Sequence, residues 1–239
     1  MHAFANPTRF LRIARPLTPA LLLSGLAITA AALIYGLFYA PAEQLQGETV
    51  RILFIHVPAA WLGMAGWSAI AVASLVELVW RHPLAALAAR GSAVPGAVFA
   101  ALCLASGSLW GRPAWGTYWV WDGRLTSMLV LLFLYLGYIA LAGAVQREGG
   151  SSRIPAIFGL VGAINIPIIH YSVIWWNSLH QPPSLGWGGS SMAGPFLWGL
   201  VAASLGFTLI FAGVVLARMR ALLAGIQADA RLRRKAMEA

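Results

Sequence analysis

Four tryptophans, Trp110, Trp115, Trp119 and Trp121, share the segment WGRPAWGTYWVWDGRLT (110–126) with Arg112, Tyr118, Asp122 and Arg124, between two long apolar runs. Flat aromatic faces at this density, bounded by charge and set where a membrane chain turns around, form a platform for a large planar ligand at the bilayer surface. Haem is the ligand that fits best. Two histidines flank the platform: His56, in RILFIHVPAAWLGM, about one turn into an apolar run, and His170, in INIPIIHYSVIWWN, near the end of another. An ionisable side chain at such depth is costly unless it is paired or functional, and imidazole is a normal axial ligand of haem iron. His56 and His170 are therefore the candidate axial pair. Their competitor is His180 in NSLHQPPS, because a loop ten residues further on can bend back to the same place. His2 and His82 have no polar constellation around them and read as surface residues.

Each charged residue near the platform has a plain reading beside the functional one. Asp122 suits the N-cap of the following helix, where a carboxylate also complements the helix dipole. Arg51, Arg112 and Arg124 read equally as interfacial anchors with snorkelling heads. Haem, however, brings two propionates that want the bidentate partner arginine provides, and these are the three cations on the platform side. Arg51 and Arg124 are the stronger candidates. Trp80, Trp187 and Trp198 fit an ordinary aromatic belt. Trp115, Trp119 and Trp121 crowd one loop, with Trp115, Trp119 and Asp122 sharing a face if it is helical and Trp115, Trp119 and Trp121 if it is extended. Both alternatives stay open.

The elements that position these groups follow from composition. Of 239 residues, 60% are hydrophobic and only 10% charged, where a soluble domain carries about a quarter of its residues as charges. Apolar runs near 18–40, 52–80, 92–111, 125–145, 154–174 and 195–217 match the roughly 20 residues needed to cross a hydrocarbon core of about 30 Å. They are continuous and too long for the strands of a transmembrane barrel, about 10 residues each. The expected fold is all-α: one polytopic domain over 1–239 with six transmembrane helices, short loops and no cleavable signal peptide before the first run. Thirteen Lys and Arg fall on the side of the termini and three, Arg51, Arg112 and Arg124, on the other. The positive-inside rule then puts both termini in the cytoplasm and the tryptophan segment, between helices 3 and 4, in the periplasm. The net charge of +9 needs no nucleic acid, since Arg231 to Lys235 is juxtamembrane basic sequence that meets anionic lipid. Cys103, the single cysteine, excludes an intrachain disulfide and reads as a small packing residue.

WGTYWVWDGRLT (115–126) resembles the tryptophan-rich (WWD) signature of haem-handling proteins of cytochrome c maturation, and FIHVPAAW (54–61) with NIPIIHYSVIWWNSLHQ (165–181) resembles the CcmC branch. The likeness covers nearly the whole chain. Larger relatives such as CcmF share the signature on a much longer chain. The resemblance implies a subunit that holds b-type haem transiently on the periplasmic side of the bacterial inner membrane and presents it to the haem chaperone CcmE. It implies CcmA, CcmB and CcmD as further partners, within a haem-export (ABC transporter) complex. It carries the axial ligands to His56 and His170, the tryptophan-segment residues to Trp115, Trp119, Trp121 and Asp122, and the site arginines to Arg51 and Arg124.

The expected function is haem binding and delivery rather than catalysis. No G-x-x-x-x-G-K-[ST] loop occurs, so an ATPase would be a separate subunit. Two rivals are a membrane b-type cytochrome that transfers electrons, which ordinarily needs histidine pairs stacking two haems across the bilayer, and a structural assembly subunit without its own haem.

Overall fold

The computed structural model describes residues 6–148, 150–176, 178–181, 184–186 and 189–238. Six helical segments in it are long and apolar enough to cross a membrane: Pro7–Tyr39, Glu48–Trp80, Ala85–Trp115, Gly123–Arg147, Arg153–Trp175 and Gly194–Glu238. The helix is the economical answer in lipid, because every backbone N–H and C=O must find its partner within the segment. All six expected spans are present, though their ends differ from the hydropathy runs. The first begins at Pro7 and the last continues to Glu238, since the basic ends are polar but still good helix formers.

Helix α1 (Pro7–Ile34) is capped by the Asn6 side chain and widens into a π turn at Tyr35–Tyr39, closed by Ala40 N–H on the Tyr35 carbonyl at 2.8 Å. A short 3₁₀ turn, Glu48–Ile52, leads into α2 (Leu53–Trp80), and α3 (Ala85–Trp115) returns. Helix α4 (Gly123–Arg147) follows the tryptophan segment. The fifth span is broken into α5 (Arg153–Gly162) and α6 (Asn165–Trp175). Pro167 explains the break: its ring lacks an N–H and crowds the carbonyl four residues back, Ala163. The chain there tightens to i→i−3 bonds, Ala163 to Leu160 (3.1 Å), Ile164 to Val161 (3.2 Å) and Ile166 to Ala163 (3.1 Å). A two-residue ladder, β1 (Leu185–Gly186) with β2 (Gly189–Ser190), precedes α7 (Gly194–Glu238).

Helix α2 is the centre of the bundle, packed on α3, α5 and α7, while α1 lies outside against α7 and α4 is held by α3 and α6. Trp67, fully buried, is the hub. Its indole N–H donates to the Gly159 carbonyl (3.1 Å), and its ring meets Tyr135 edge-on at 4.9 Å and Tyr138 at 6.1 Å. The Tyr135 hydroxyl donates to the Gly63 carbonyl at 2.7 Å. Helices in lipid gain no hydrophobic drive from meeting, so contact depends on close packing through small residues. A Cβ on Gly206 would stand 2.7 Å from the Thr29 nitrogen, and one on Gly25 2.8 Å from the Ile210 nitrogen. Alternating helices leave the residues after α1, α3 and α6 at one end of the bundle. The start of α1, the end of α7, the Arg81–Leu84 turn and the join from α4 to α5 lie at the other.

Gly206→Leu is expected to wedge α1 off α7 and to cost about 1–3 kcal/mol, the usual penalty of overpacking. Thermal unfolding in detergent checks this; a midpoint equal to that of the unaltered chain would rule out the tight α1–α7 crossing.

Candidate functional site

His56 sits in the first turn of α2 and faces α3. Its Nδ1 lies 3.1 Å from the Cys103 carbonyl and 3.2 Å from the Ser106 hydroxyl. The Ser106 proton is already committed to the Leu102 carbonyl at 2.6 Å. Nδ1 must therefore be the donor, and the Nε2 lone pair is left for a ligand. Gly107 makes this approach possible, because a Cβ there would come within 2.7 Å of the imidazole Cε1.

His180 comes back to the same place. Its ring centroid is 6.3 Å from that of His56, with the planes 34° apart, and 6.2 Å from the Trp115 ring. Its Nδ1 is 3.0 Å from the Gln181 carbonyl, an acceptor, so Nε2 is again the free lone pair. The loop is held by a relay. Asp122 Oδ2 accepts from the Ser178 hydroxyl, and that hydroxyl oxygen accepts from the His180 backbone N–H at 3.0 Å. Asp122 is also the N-cap of α4, its Oδ1 accepting from Leu125 N–H at 2.8 Å. The cap and the tether use one carboxylate. Ser178, Cys103, Ser106 and Gly107 carried no signal in the sequence, since their parts depend on contacts between elements.

His170 is an exposed residue of α6, its ring edge-on to Tyr171 at 4.8 Å. Its carbonyl accepts from Arg124 Nη2 at 3.0 Å, with Ser172 Oγ 3.5 Å from Arg124 Nε. Of the two expected pairings, ring proximity is found between His56 and His180. Arg51 pairs with Glu48 at 2.7 Å and donates to the Leu37 carbonyl at 2.6 Å, one of the groups that the π turn leaves open, while its buried Nε has no partner. Arg112 folds onto its own turn, donating to the Gly116 carbonyl at 2.5 Å and lying 5.8 Å from the Tyr118 ring centroid.

The tryptophan segment is neither wholly helical nor a strand. Helix α3 runs to Trp115 and stops on Gly116, whose φ of +79° is the left-handed C-cap conformation that glycine adopts freely. Residues 117–122 then cross irregularly to α4. Trp110 lies edge-on to His56 at 5.7 Å and donates its indole N–H to Gln46 Oε1 at 2.9 Å, drawing in the loop between the first two spans. Trp119 and Trp121 meet edge-on at 5.4 Å; the Trp119 indole nitrogen is buried without a partner, whereas Trp121 is 76% exposed. Outside the cluster, His82 Nδ1 accepts from Leu84 N–H at 3.2 Å at the opposite end. His2 and Trp187 lie outside the described residues.

The family model CcmC, described as heme exporter protein C, matches residues 1–234. The heme exporter protein C of Bradyrhizobium diazoefficiens is 51% identical over 90% of this chain and 82% of its own length. That of Escherichia coli K12 is 42% identical over 93% and 90%. A putative cytochrome c biosynthesis ccmC-like mitochondrial protein of Marchantia polymorpha is 44% identical over 69% and 70%.

Two outcomes follow from this geometry. Burial, with the Arg124 charge, holds the His180 pKa below its ordinary 6.5 against the raising influence of the Gln181 carbonyl and Asp122. The folded chain then binds fewer protons here than the unfolded one, so the His180 contribution lowers stability as pH falls below 6.5, while the neutral ring persists below that pH. NMR titration of the His180 ring checks the direction, and a midpoint above 6.5 would contradict it. Asp122→Ala is expected to cost about 1 kcal/mol through the lost cap and to speed amide exchange at His180. Unchanged exchange there would break the proposed relay.

Proposed function

The chain belongs to the CcmC family, heme exporter protein C, and on that premise we propose that it binds haem at the tryptophan end of the bundle and passes it to the haem chaperone CcmE during cytochrome c maturation. The observation that carries the reading is the His56–His180 pair: rings 6.3 Å apart, each Nδ1 at a backbone carbonyl. Two metal–imidazole bonds of about 2 Å, the length known for zinc, plus the ring radii span such a gap. Carbonyl acceptors on the remote nitrogen fix the tautomer and raise ligand basicity. His56 is thus one axial ligand and His180 the favoured second, with His170 the alternative suggested by sequence.

The tryptophans would cover the porphyrin faces, offering roughly 25 cal/mol per Å² of buried apolar area. The orphaned Trp119 N–H and Arg51 Nε are donors without acceptors, and Arg124 stands two residues after Asp122, the carboxylate that tethers the His180 loop. Arg124 and Arg51 accordingly hold the propionates. With both axial positions filled, no open coordination site remains for oxygen chemistry, which suits transient holding of b-type haem rather than catalysis. The relatives' name supports haem as cargo, and the Marchantia relative's name supports the cytochrome c context. CcmA, CcmB and CcmD are the proposed further partners, with any ATPase on another chain. The thirteen-to-three Lys and Arg asymmetry supports the bacterial inner membrane with cytoplasmic termini and a periplasmic site.

Absorption and EPR spectra of the purified chain with haem test the ligands. His56→Ala and His180→Ala are each expected to lose the low-spin signature and regain part of it on adding imidazole, while His82→Ala keeps it. A normal spectrum from His180→Ala with loss in His170→Ala would restore the His56–His170 pair. Arg51→Ala and Arg124→Ala are expected to retain haem but to lower covalent haem on CcmE at equal protein levels. Normal transfer from both would move the propionates elsewhere.

A further inference from the structure

At the opposite end of the bundle, near the termini, a cavity of about 220 Å³ opens between the end of α2, the start of α3 and the α4–α5 connection. Its walls carry Glu77, Arg90, Tyr138, Gln146 and Ser152. Glu77 lies three residues before the end of α2 and Arg90 five residues after the start of α3. At 1.5 Å per residue both stand within about 8 Å of their helix ends, the depth of lipid headgroups. The two are opposite charges facing one space, yet they form no ion pair with each other among the described residues. Arg90 instead donates to the neutral amide of Gln146.

Opposite charges half-buried at a membrane boundary without an ionic partner are costly. A ligand that brings a cation to Glu77 and an anion to Arg90 removes the cost at both ends. We propose that this cavity binds a phosphoethanolamine group: ammonium on the Glu77 carboxylate, phosphate on Arg90, with Tyr138 and Gln146 as neutral partners. Phosphatidylethanolamine headgroups and free phosphoethanolamine share that chemistry. A purely anionic headgroup does not fit equally well, because Glu77 opposes it.

The test is native mass spectrometry of the full chain from detergent containing equimolar phosphatidylethanolamine and phosphatidylglycerol. The unaltered chain is expected to retain the ethanolamine lipid preferentially, by about tenfold, the worth of one charge-assisted hydrogen bond. Glu77→Gln should abolish the preference, and Arg90→Gln should lower retention of both lipids. Equal retention of the two by the unaltered chain overturns the proposal and needs no variant to fold. So does an unchanged preference in Glu77→Gln. A competition arm with free phosphoethanolamine identifies the source: displacement of the lipid shows that the headgroup alone suffices, and persistence of the lipid shows that acyl chains contribute.

Discussion

Where α2 meets α3, glycine takes the place of side chains at several levels. Added Cβ atoms would strike the Ala100 backbone from Gly63 at 3.3 Å, the Tyr135 ring from Gly96 at 2.4 Å and the His56 ring from Gly107 at 2.7 Å. Each omission lets a larger group in. At mid-bundle that group is Tyr135, whose hydroxyl fastens α4 to the Gly63 carbonyl. At the tryptophan end it is His56, brought near enough for its Nδ1 to reach the Cys103 carbonyl at 3.1 Å. The orientation of that imidazole, and hence of anything bound to it, depends on how closely two helices approach. In lipid, where apolar helices gain nothing by leaving apolar tails, small residues are the main means of securing such approach.

The tryptophan end uses few charges, and the structure already employs each of them. Asp122 holds the start of α4 and the Ser178 tether together. Arg124 bridges α4 to the middle of α6 through the His170 carbonyl. Arg51 joins the 3₁₀ turn to the π turn of the first span. Residues that would grip a propionate thus also brace the framework, and haem would have to compete with backbone carbonyls for their donors. Such partial commitment suits cargo that must leave again, since a fully dedicated bidentate clamp binds more strongly.

The six spans were legible because hydropathy over about 20 residues is a strong signal, and Asp122 was legible as a cap because its chemistry is local. The split of the fifth span was written in Pro167 but falls inside a continuous apolar run, which hydropathy alone reads as one helix. Helix and strand readings of 115–122 were both incomplete, because the helix persists to Trp115 and ends at the left-handed Gly116. The position of His180 was least accessible. Sequence distance puts it ten residues beyond His170, and its return depends on a hydroxyl relay between segments 56 residues apart. Depth along the chain gave His56 and His170 similar levels, but the direction of a side chain about its helix is a matter of packing, and His170 points away from the core.

Helix α7 is 45 residues long, roughly 68 Å at 1.5 Å per residue, more than twice the thickness of the hydrocarbon core. It starts where the segment bearing His180 ends, is packed against α1, α2 and α3 from Phe196 to Leu223, and finishes in the basic stretch at Arg231 to Lys235. The fifteen residues beyond Leu223 extend about 22 Å past that packing as an exposed helix, carrying Arg231 to Lys235 clear of the bundle.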